Sequence, residues 1–345
     1  MAKHMSCALR LATLLLFTLC LSLPARAGEL KHAALVLQWQ PQAQFAGFYV
    51  AKEKGFYAEA GVDMKIIPGG PDVVASKLLA EGRAQFATMF LATGIERRSG
   101  QDQGGGMGGL PVVLLAQLVQ RSALMIITRA DSPIKSPKDL DGKRVGLWDN
   151  EFRLQPLALF QRLGIHPVII PQSNTLNLFL RGGVDAASAM WYNEYHSLLA
   201  SGLDPEDLRV FFYRDLDLNF PEDGLYTLED TLARDPDLCR AVTAASLRGW
   251  EYAFAHPSEA LDIVQNRMRE AHLPSSRAHQ RFMLARMQDV MSGAAPDSLP
   301  LGSLDPADFE RVAEALLAQK LIHTRPNLEA FFRGQLREAG QRTNQ

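Results

Sequence analysis

The hydrophobic pattern of this chain switches between strand and helix periods, runs through that series twice, and then keeps only the helical one. Strand patterns fall at residues 33–39 (AALVLQW), 62–68, 84–90 and 111–119. Helical patterns lie between them at 44–54, 72–81 and on to 98. Gly55 closes the first helix in C-cap fashion, and Asp72 stands where an N-cap belongs. The series restarts with strands at 123–129, within 135–148, and at 166–170, 184–191 and 208–214. Helices at 151–163, 174–181 and between the last two strands separate them. Such alternation needs crossover connections and predicts an α/β fold with mainly parallel sheets. Beyond residues 224–230 the chain turns helical, at 236–254, 257–271, 276–292 and 305–319, with apolar side chains such as Val242, Leu247, Trp250 and Phe254 on one face. Pro257 and Pro274 mark breaks or starts. These helices are too few for a domain of their own and are expected to pack back on the first sheet. The division that follows is a discontinuous lobe 1 (28–119 plus 220–345) and an inserted lobe 2 (120–219). Two crossings, near 118–122 and 214–224, join them.

Residues 1–27 stand apart from this pattern. A basic start at Lys3 and Arg10, an apolar core at 11–23 and the small-x-small Ala25-Arg26-Ala27 predict a secretory signal peptide cleaved near Ala27. The apolar run is short for a membrane span. Cys20, preceded by Thr18-Leu19, is in a poor context for lipid attachment. Without the leader, 318 residues remain, with 33 Lys+Arg against 38 Asp+Glu and a net charge of −5. That balance speaks against a nucleic-acid partner, which would call for a basic stripe. Cys7 and Cys20 leave with the leader, so Cys239 is alone and neither an intrachain disulfide nor a cysteine-based metal site is available.

A glycine-rich stretch at 99–111 lacks the Gly-Lys-Ser/Thr ending of a phosphate loop and precedes a strand rather than a helix, so a surface insertion is the better reading. A more informative stretch is 37–57 (LQWQPQAQFAGFYVAKEKGFY), where a strand hands over to a helix through Gln38, Trp39, Gln44 and Phe45. Ligands of open α/β sheets bind outside the carboxyl ends of strands. Trp39 lies at such an end, and Phe90, Trp148 and Trp191 close three other strands in the same way. Any one of these tryptophans could simply fill a core gap. Together they suit a flat ring, because aromatic stacking adds about 0.5–1.5 kcal/mol per pair. Gln38 and Gln44 supply amide donors and acceptors. In WYNEY (191–195), Tyr192, Asn193 and Glu194 follow a strand. Asn193 is equally a helix cap, and Glu194 could be a solvated helix-start carboxylate. Amides and a carboxyl flanked by aromatics suit an amino-substituted heteroaromatic ring. Gln120 at the first crossing and Asp223 near the second complete the candidate ligand contacts. Arg121 and Arg214 at the crossings are more readily structural or solvated than anion-binding.

Four stretches, WQPQAQFAGFYVAKEKGFYAEAGVDMKIIPGG, DLDGKRVGLW, WYNEYHSLLASGLDPEDLRVFF and LNFPEDGLY, resemble the NMT1/THI5-like solute-binding proteins of ABC importers. The similarity runs over most of residues 33–270. It is strongest to the branch that binds thiamine pyrimidine precursors such as N-formyl-4-amino-5-aminomethyl-2-methylpyrimidine. The resemblance implies a two-lobed periplasmic-binding-protein-like fold of type II with a hinge of two crossings. By position, the family's strand-end tryptophan falls on Trp39 and the polar residue before it on Gln38. Its second-lobe aromatic and acidic cluster falls on Trp191, Tyr192, Asn193 and Glu194. Pyrimidine-binding members often carry Asn at the position of Gln38, and Asn-His where Gln44-Phe45 stand here. A related enzyme-like branch, the eukaryotic pyrimidine synthases, spends one of its own histidines and carries a Cys-rich iron motif. Ala92 stands at that histidine's position, and residues 218–226 contain no cysteine.

These readings converge on a non-enzymatic, exported binding protein with no cofactor. It is expected to be a periplasmic monomer that delivers a small planar heterocycle to an inner-membrane ABC permease and its ATPase. Hinge closure would clamp the ring between Trp39 and Trp191, with Gln38, Asn193 and Glu194 orienting it. A sulfonate, nitrate or other small solute is the alternative ligand, and it would call for cations in the cleft. Two competing roles are a pyrimidine-synthase-like enzyme, against which the leader and the missing His and Cys motif count, and a ligand-sensing subunit of a membrane receptor.

Overall fold

The computed structural model describes residues 29–100, 109–291 and 299–334. The leader reading of residues 1–27, and most of the glycine-rich stretch, lie outside the described residues. In chain order the strands are β1 (Lys31–Val36), β2 (Val62–Ile67), β3 (Phe86–Phe90) and β4 (Val112–Gln117), then β5 (Leu124–Arg129) and β6 (Arg144–Leu147). They continue with β7 (Val168–Pro171), β8 (Ala186–Met190), β9 (Leu208–Phe212) and β10 (Asp223–Leu228). They form two five-stranded sheets, ordered β2-β1-β3-β10-β4 and β7-β6-β8-β5-β9. The architecture is α/β and two-lobed. Gly55, with φ of 76°, follows the first helix in the left-handed conformation. Asp72 is not a cap, because the helix Ala75–Ala80 begins after Val74 with no side chain capping it.

Each sheet is parallel except for one strand. β10 runs antiparallel to β3 and β4, and β5 antiparallel to β8 and β9. The cause is connectivity. A parallel neighbour requires a crossover, usually through a helix. β5 and β10 are the first strands after each crossing and enter their sheets directly. The carboxyl ends of the parallel strands and the amino ends of β5 and β10 therefore meet on the same side, where the two lobes face each other. In register terms, Asp223 opens β10 opposite Phe90, the last residue of β3, and Leu124 opens β5 opposite Met190, the last residue of β8.

The two crossings lie side by side and are stitched together. Leu118 and Val119 donate from their backbone N–H groups to the carbonyl of Asp223, and Glu222 donates to that of Val119. Asn219 accepts from the Ser122 N–H and donates to the Gln120 carbonyl. Glu222 is buried among them. Its Oε1 accepts from the N–H groups of Ala123 (2.6 Å) and Leu124 (3.2 Å) and from the Ser122 hydroxyl (3.1 Å).

The late helices Pro236–Ala255, Pro257–Glu270, Arg277–Met291 and Pro306–Ala318 join the core of the first sheet. Asp235 caps the first of them by accepting from the Leu238 N–H. That helix crosses Ala46–Glu53 at glycine contacts. A Cβ on Gly47 would lie 2.3 Å from the Trp250 indole, and one on Gly249 would lie 2.1 Å from the Gly47 carbonyl oxygen. Trp250 fills the resulting notch edge-on to Phe48, 6.1 Å between ring centroids. The second sheet is covered more thinly. A small separate cluster (Met125, Ile127, Leu176, Phe179, Leu198 and neighbours) closes one face, and Val168 on edge strand β7 is 51% exposed.

Candidate functional site

A cavity of about 570 Å³ opens where the strand ends of the two sheets meet. From lobe 1 it is lined by Gln38 and Trp39 after β1, Gln42 and Gln44 in the next turn, and Phe90 at the end of β3. From lobe 2 it is lined by Trp148 and Phe152 after β6, and by Tyr192, Asn193 and Glu194 after β8. The sequence-predicted residues Gln38, Trp39, Gln44, Phe90, Trp148, Tyr192, Asn193 and Glu194 are thus brought to one space.

Four others are placed elsewhere. Phe45 is fully buried in the lobe-1 core. The Gln120 amide donates to the carbonyls of Pro300 and Ser303, away from the cavity. Trp191 does not line the cavity. Met190 and Tyr192 do, and in the turn that follows β8 Trp191 is directed to the other side. There its indole lies edge-on to Phe212 (5.5 Å), with the guanidiniums of Arg214 and Arg286 at 4.9 and 4.7 Å from the ring centre. Asp223 stands behind the lobe-1 wall rather than in it.

That wall is made of amides anchored on a buried carboxyl. Gln38 Nε2 donates to Asp223 Oδ1 (2.7 Å), and Gln44 Nε2 to Oδ2 (2.8 Å). Gln42 Nε2 donates in turn to Gln44 Oε1 (2.6 Å). Gln38 Oε1 is buried without a partner among the described residues. Burial pushes the Asp223 carboxyl up to about 7, against the pull of the two amides. Its neighbour Glu222 is pushed further, to about 8, by burial and then by the nearby Asp223 charge. Glu222 Oε2 is buried without a partner among the described residues. It is the oxygen left to carry the proton, since Oε1 accepts from three donors.

The lobe-2 wall carries Glu194. Its Oε2 accepts from the Met190 N–H (2.9 Å) and its Oε1 from Asn193 Nδ2 (2.7 Å). Burial among these groups raises the carboxyl to about 7. Asn193 occupies the position before the helix Glu194–Ala200 without capping it, because its side chain is committed to Glu194 and to His279. Aromatic rings link the two walls. Phe152 contacts both Trp148 (5.2 Å between centroids) and Phe90 of the other lobe (5.0 Å). The Trp148 indole N–H is anchored on the Ser173 carbonyl.

Arg97 is the one Lys or Arg among the described lining residues. Burial raises the neighbouring Glu96 and Glu151 carboxyls while Arg97 draws each of them down, and Arg97 Nε is buried without a partner among the described residues. Among the described residues, no group of three His, Cys, Asp or Glu side chains is arranged to hold a metal ion. Sequence reasoning leaves Phe152, Arg97 and His279 out of the site. Phe152 follows the strand-end Trp148 closely enough to be included on that ground. His279 lies 86 positions from Asn193 and carries no local signal.

The family described as NMT1/THI5 like matches residues 42–260. This chain belongs to the NMT1/THI5-like family. Among its relatives, the riboflavin-binding protein RibY of Chloroflexus aurantiacus is 24% identical over 321 residues, covering 90% of this chain and 87% of RibY. The formylaminopyrimidine-binding protein of Halalkalibacterium halodurans is 25% identical over 295 residues, covering 82% and 84%. Both are named as binding proteins rather than enzymes, and this NMT1/THI5-like chain groups with them. In fold it matches the periplasmic aliphatic sulphonate binding protein SsuA of Escherichia coli, with a TM-score of 0.65 at 15% identity over 87% of this chain and 91% of that one. No helix among the described residues is long and apolar enough to cross a membrane.

Proposed function

We propose that this NMT1/THI5-like protein is the solute-binding component of an ABC importer and captures an amino-substituted heteroaromatic ring of the thiamine-pyrimidine-precursor class. One observation carries the reading: two walls, one of glutamine amides anchored on buried Asp223 and one with Glu194 held by Asn193, face each other across aromatic rings. Gln38 Oε1 and the remaining lone pairs of Glu194 offer acceptors to an exocyclic amine. Trp39 and Trp148, not Trp191, are the indoles on opposite walls that can cover the ring faces. Contacts to both lobes favour the shut state by the difference in affinity between the two states. The exported chain, its leader removed near Ala27, would act in the periplasm as a monomer and dock on a permease with its ATPase. Amide and carboxyl acceptors on both walls, with Arg97 the one Lys or Arg among the described lining residues, suit an amine donor better than a sulfonate or nitrate, and Ala92 leaves no histidine for synthase-like chemistry.

A second reading follows from size. A cavity of about 570 Å³ is roomy for a single ring and accommodates a fused-ring ligand. RibY, a relative over 90% of this chain, is named for riboflavin. Native mass spectrometry of the protein purified from its own host, followed by calorimetric titration, separates the two readings. The titration panel is formylaminopyrimidine, hydroxymethylpyrimidine, riboflavin and ethanesulfonate. Tight binding of a pyrimidine and weak binding of riboflavin is the expected result. The reverse ranking makes this a flavin-binding protein, and preference for the sulfonate removes both readings.

A further inference from the structure

The helix Arg277–Met291 belongs with the first sheet, yet two successive side chains of it hold opposite walls of the cleft. Gln280 Oε1 accepts from the Ala43 N–H (2.7 Å), at the turn that presents Gln42 and Gln44. His279 Nε2 lies 2.9 Å from Asn193 Oδ1, on the facing lobe. His279 Nδ1 lies 3.2 Å from Nδ1 of His196, in the helix that Glu194 opens.

We propose that His279 is a positioning residue of the ligand site, reaching across from one lobe to fix the Asn193 amide, and through it the Glu194 carboxyl, in the other. With Glu194 ionised, as it is for the most part above its raised value of about 7, the hydrogen-bond directions permit a single arrangement. Asn193 must turn its NH₂ toward Glu194, because an amide oxygen there would face a carboxylate oxygen. Its Oδ1 is then an acceptor, so His279 donates from Nε2. In the neutral ring His279 Nδ1 is left as an acceptor, so His196 donates from Nδ1. The relay runs from His196 to His279 to Asn193 to Glu194 and crosses the cleft twice. Burial, and then the neighbouring His196, holds His279 below its ordinary range, and burial does the same for His196. The groups facing the pair are Glu194 through Asn193, the rings of Phe282 and Tyr195, and Arg286 further along the same helix. Without His279, Asn193 loses the contact that sets its flip, and Glu194 loses an oriented donor. Because Gln280 secures the other wall, this helix fixes the spacing at which the two acid–amide walls work together. The inference rests on the reading of Glu194 as a ligand acceptor.

Its test has an arm that needs no ligand. In a two-bond ¹H–¹⁵N spectrum of the unliganded protein at pH 7.5, His279 is expected as the Nε2–H tautomer and His196 as the rarer Nδ1–H tautomer. Nδ1–H on His279, or two cationic rings, overturns the proposal. In the second arm, affinity is measured for whichever panel compound the wild type binds. H279A is expected to weaken it about tenfold, and H279Q, which keeps a donor, to stay within about threefold of wild type. In an N193A background H279A should cost nothing more. Unchanged affinity in H279A, or the same loss with and without Asn193, overturns the proposal. If no panel compound binds the wild type, the functional reading has failed, and the tautomer measurement still decides this one.

Discussion

The two lobes share a plan and differ in what they do with it. Both sheets have the same order, with one antiparallel strand in the fourth position, the strand that arrives straight from a crossing. Both therefore aim the same kinds of chain ends at the cleft. Lobe 1 fills those ends with glutamines drawn onto Asp223. Lobe 2 fills them with Glu194, Asn193 and Trp148. Lobe 1 is also thickly covered, by the late helices locked at Gly47 and Gly249, whereas lobe 2 has a thin outer cluster and an open edge at β7. Connectivity sets where a site can be, and the residues at the strand ends set what it can bind.

The difference in cover is tested most strongly at Gly47. Gly47→Ala drives a methyl into Trp250 and is expected to cost about 2–3 kcal/mol in denaturant unfolding. A much smaller loss would mean that the lobe-1 helices are not tightly locked. The crossings between the lobes should respond to pH. Glu222 is raised from its ordinary range to about 8 in the folded protein. Its protonated form thus favours the fold fully below the unfolded value, and that contribution disappears as pH rises through about 8. Stability should fall by an order of 1–2 kcal/mol between pH 6 and 8, and less in Glu222→Gln, as melting curves would record. Equal slopes in both proteins would put the titration elsewhere.

The two walls are compared through Glu194→Ala, expected to weaken ligand binding more than tenfold, over ~1.4 kcal/mol, with little change in unliganded melting temperature. Trp148→Ala should weaken binding about tenfold and Trp191→Ala by no more than about threefold, though the two residues occupy equivalent strand ends. Equal losses in titrations of both variants would mean that Trp191 reaches the ligand after all. The smallest effect is expected at the open edge of lobe 2, where Val168→Thr should change unfolding free energy by no more than about 0.5 kcal/mol.

Much of this is legible in the sequence, for physical reasons. Strands buried on both faces, such as FATMF in β3 and AASAM in β8, read as short apolar runs. The late helices show themselves through spacing and through proline at their first positions. Trp39, Trp148 and Glu194 stand out because strand ends face clefts. β10 (DGLYTL) does not read as a strand, because Asp223, Gly224 and Thr227 interrupt its apolar residues. Trp191 is misplaced by the strand-end argument because it lies in the turn after β8, where strand alternation no longer applies, and packs against Phe212 and two guanidiniums. The bond between His279 and Asn193 joins residues 86 positions apart that only the tertiary fold brings together, and no pattern along the sequence encodes it.

The stitched crossings have a consequence for motion. Two chain segments bonded edge to edge move as one strip and resist slipping past one another. In the proposed hinge such a joint would favour bending of the lobes over sliding between them. A docking partner at the membrane would then need to distinguish no more than two outlines of the molecule, one ajar and one shut around its cargo.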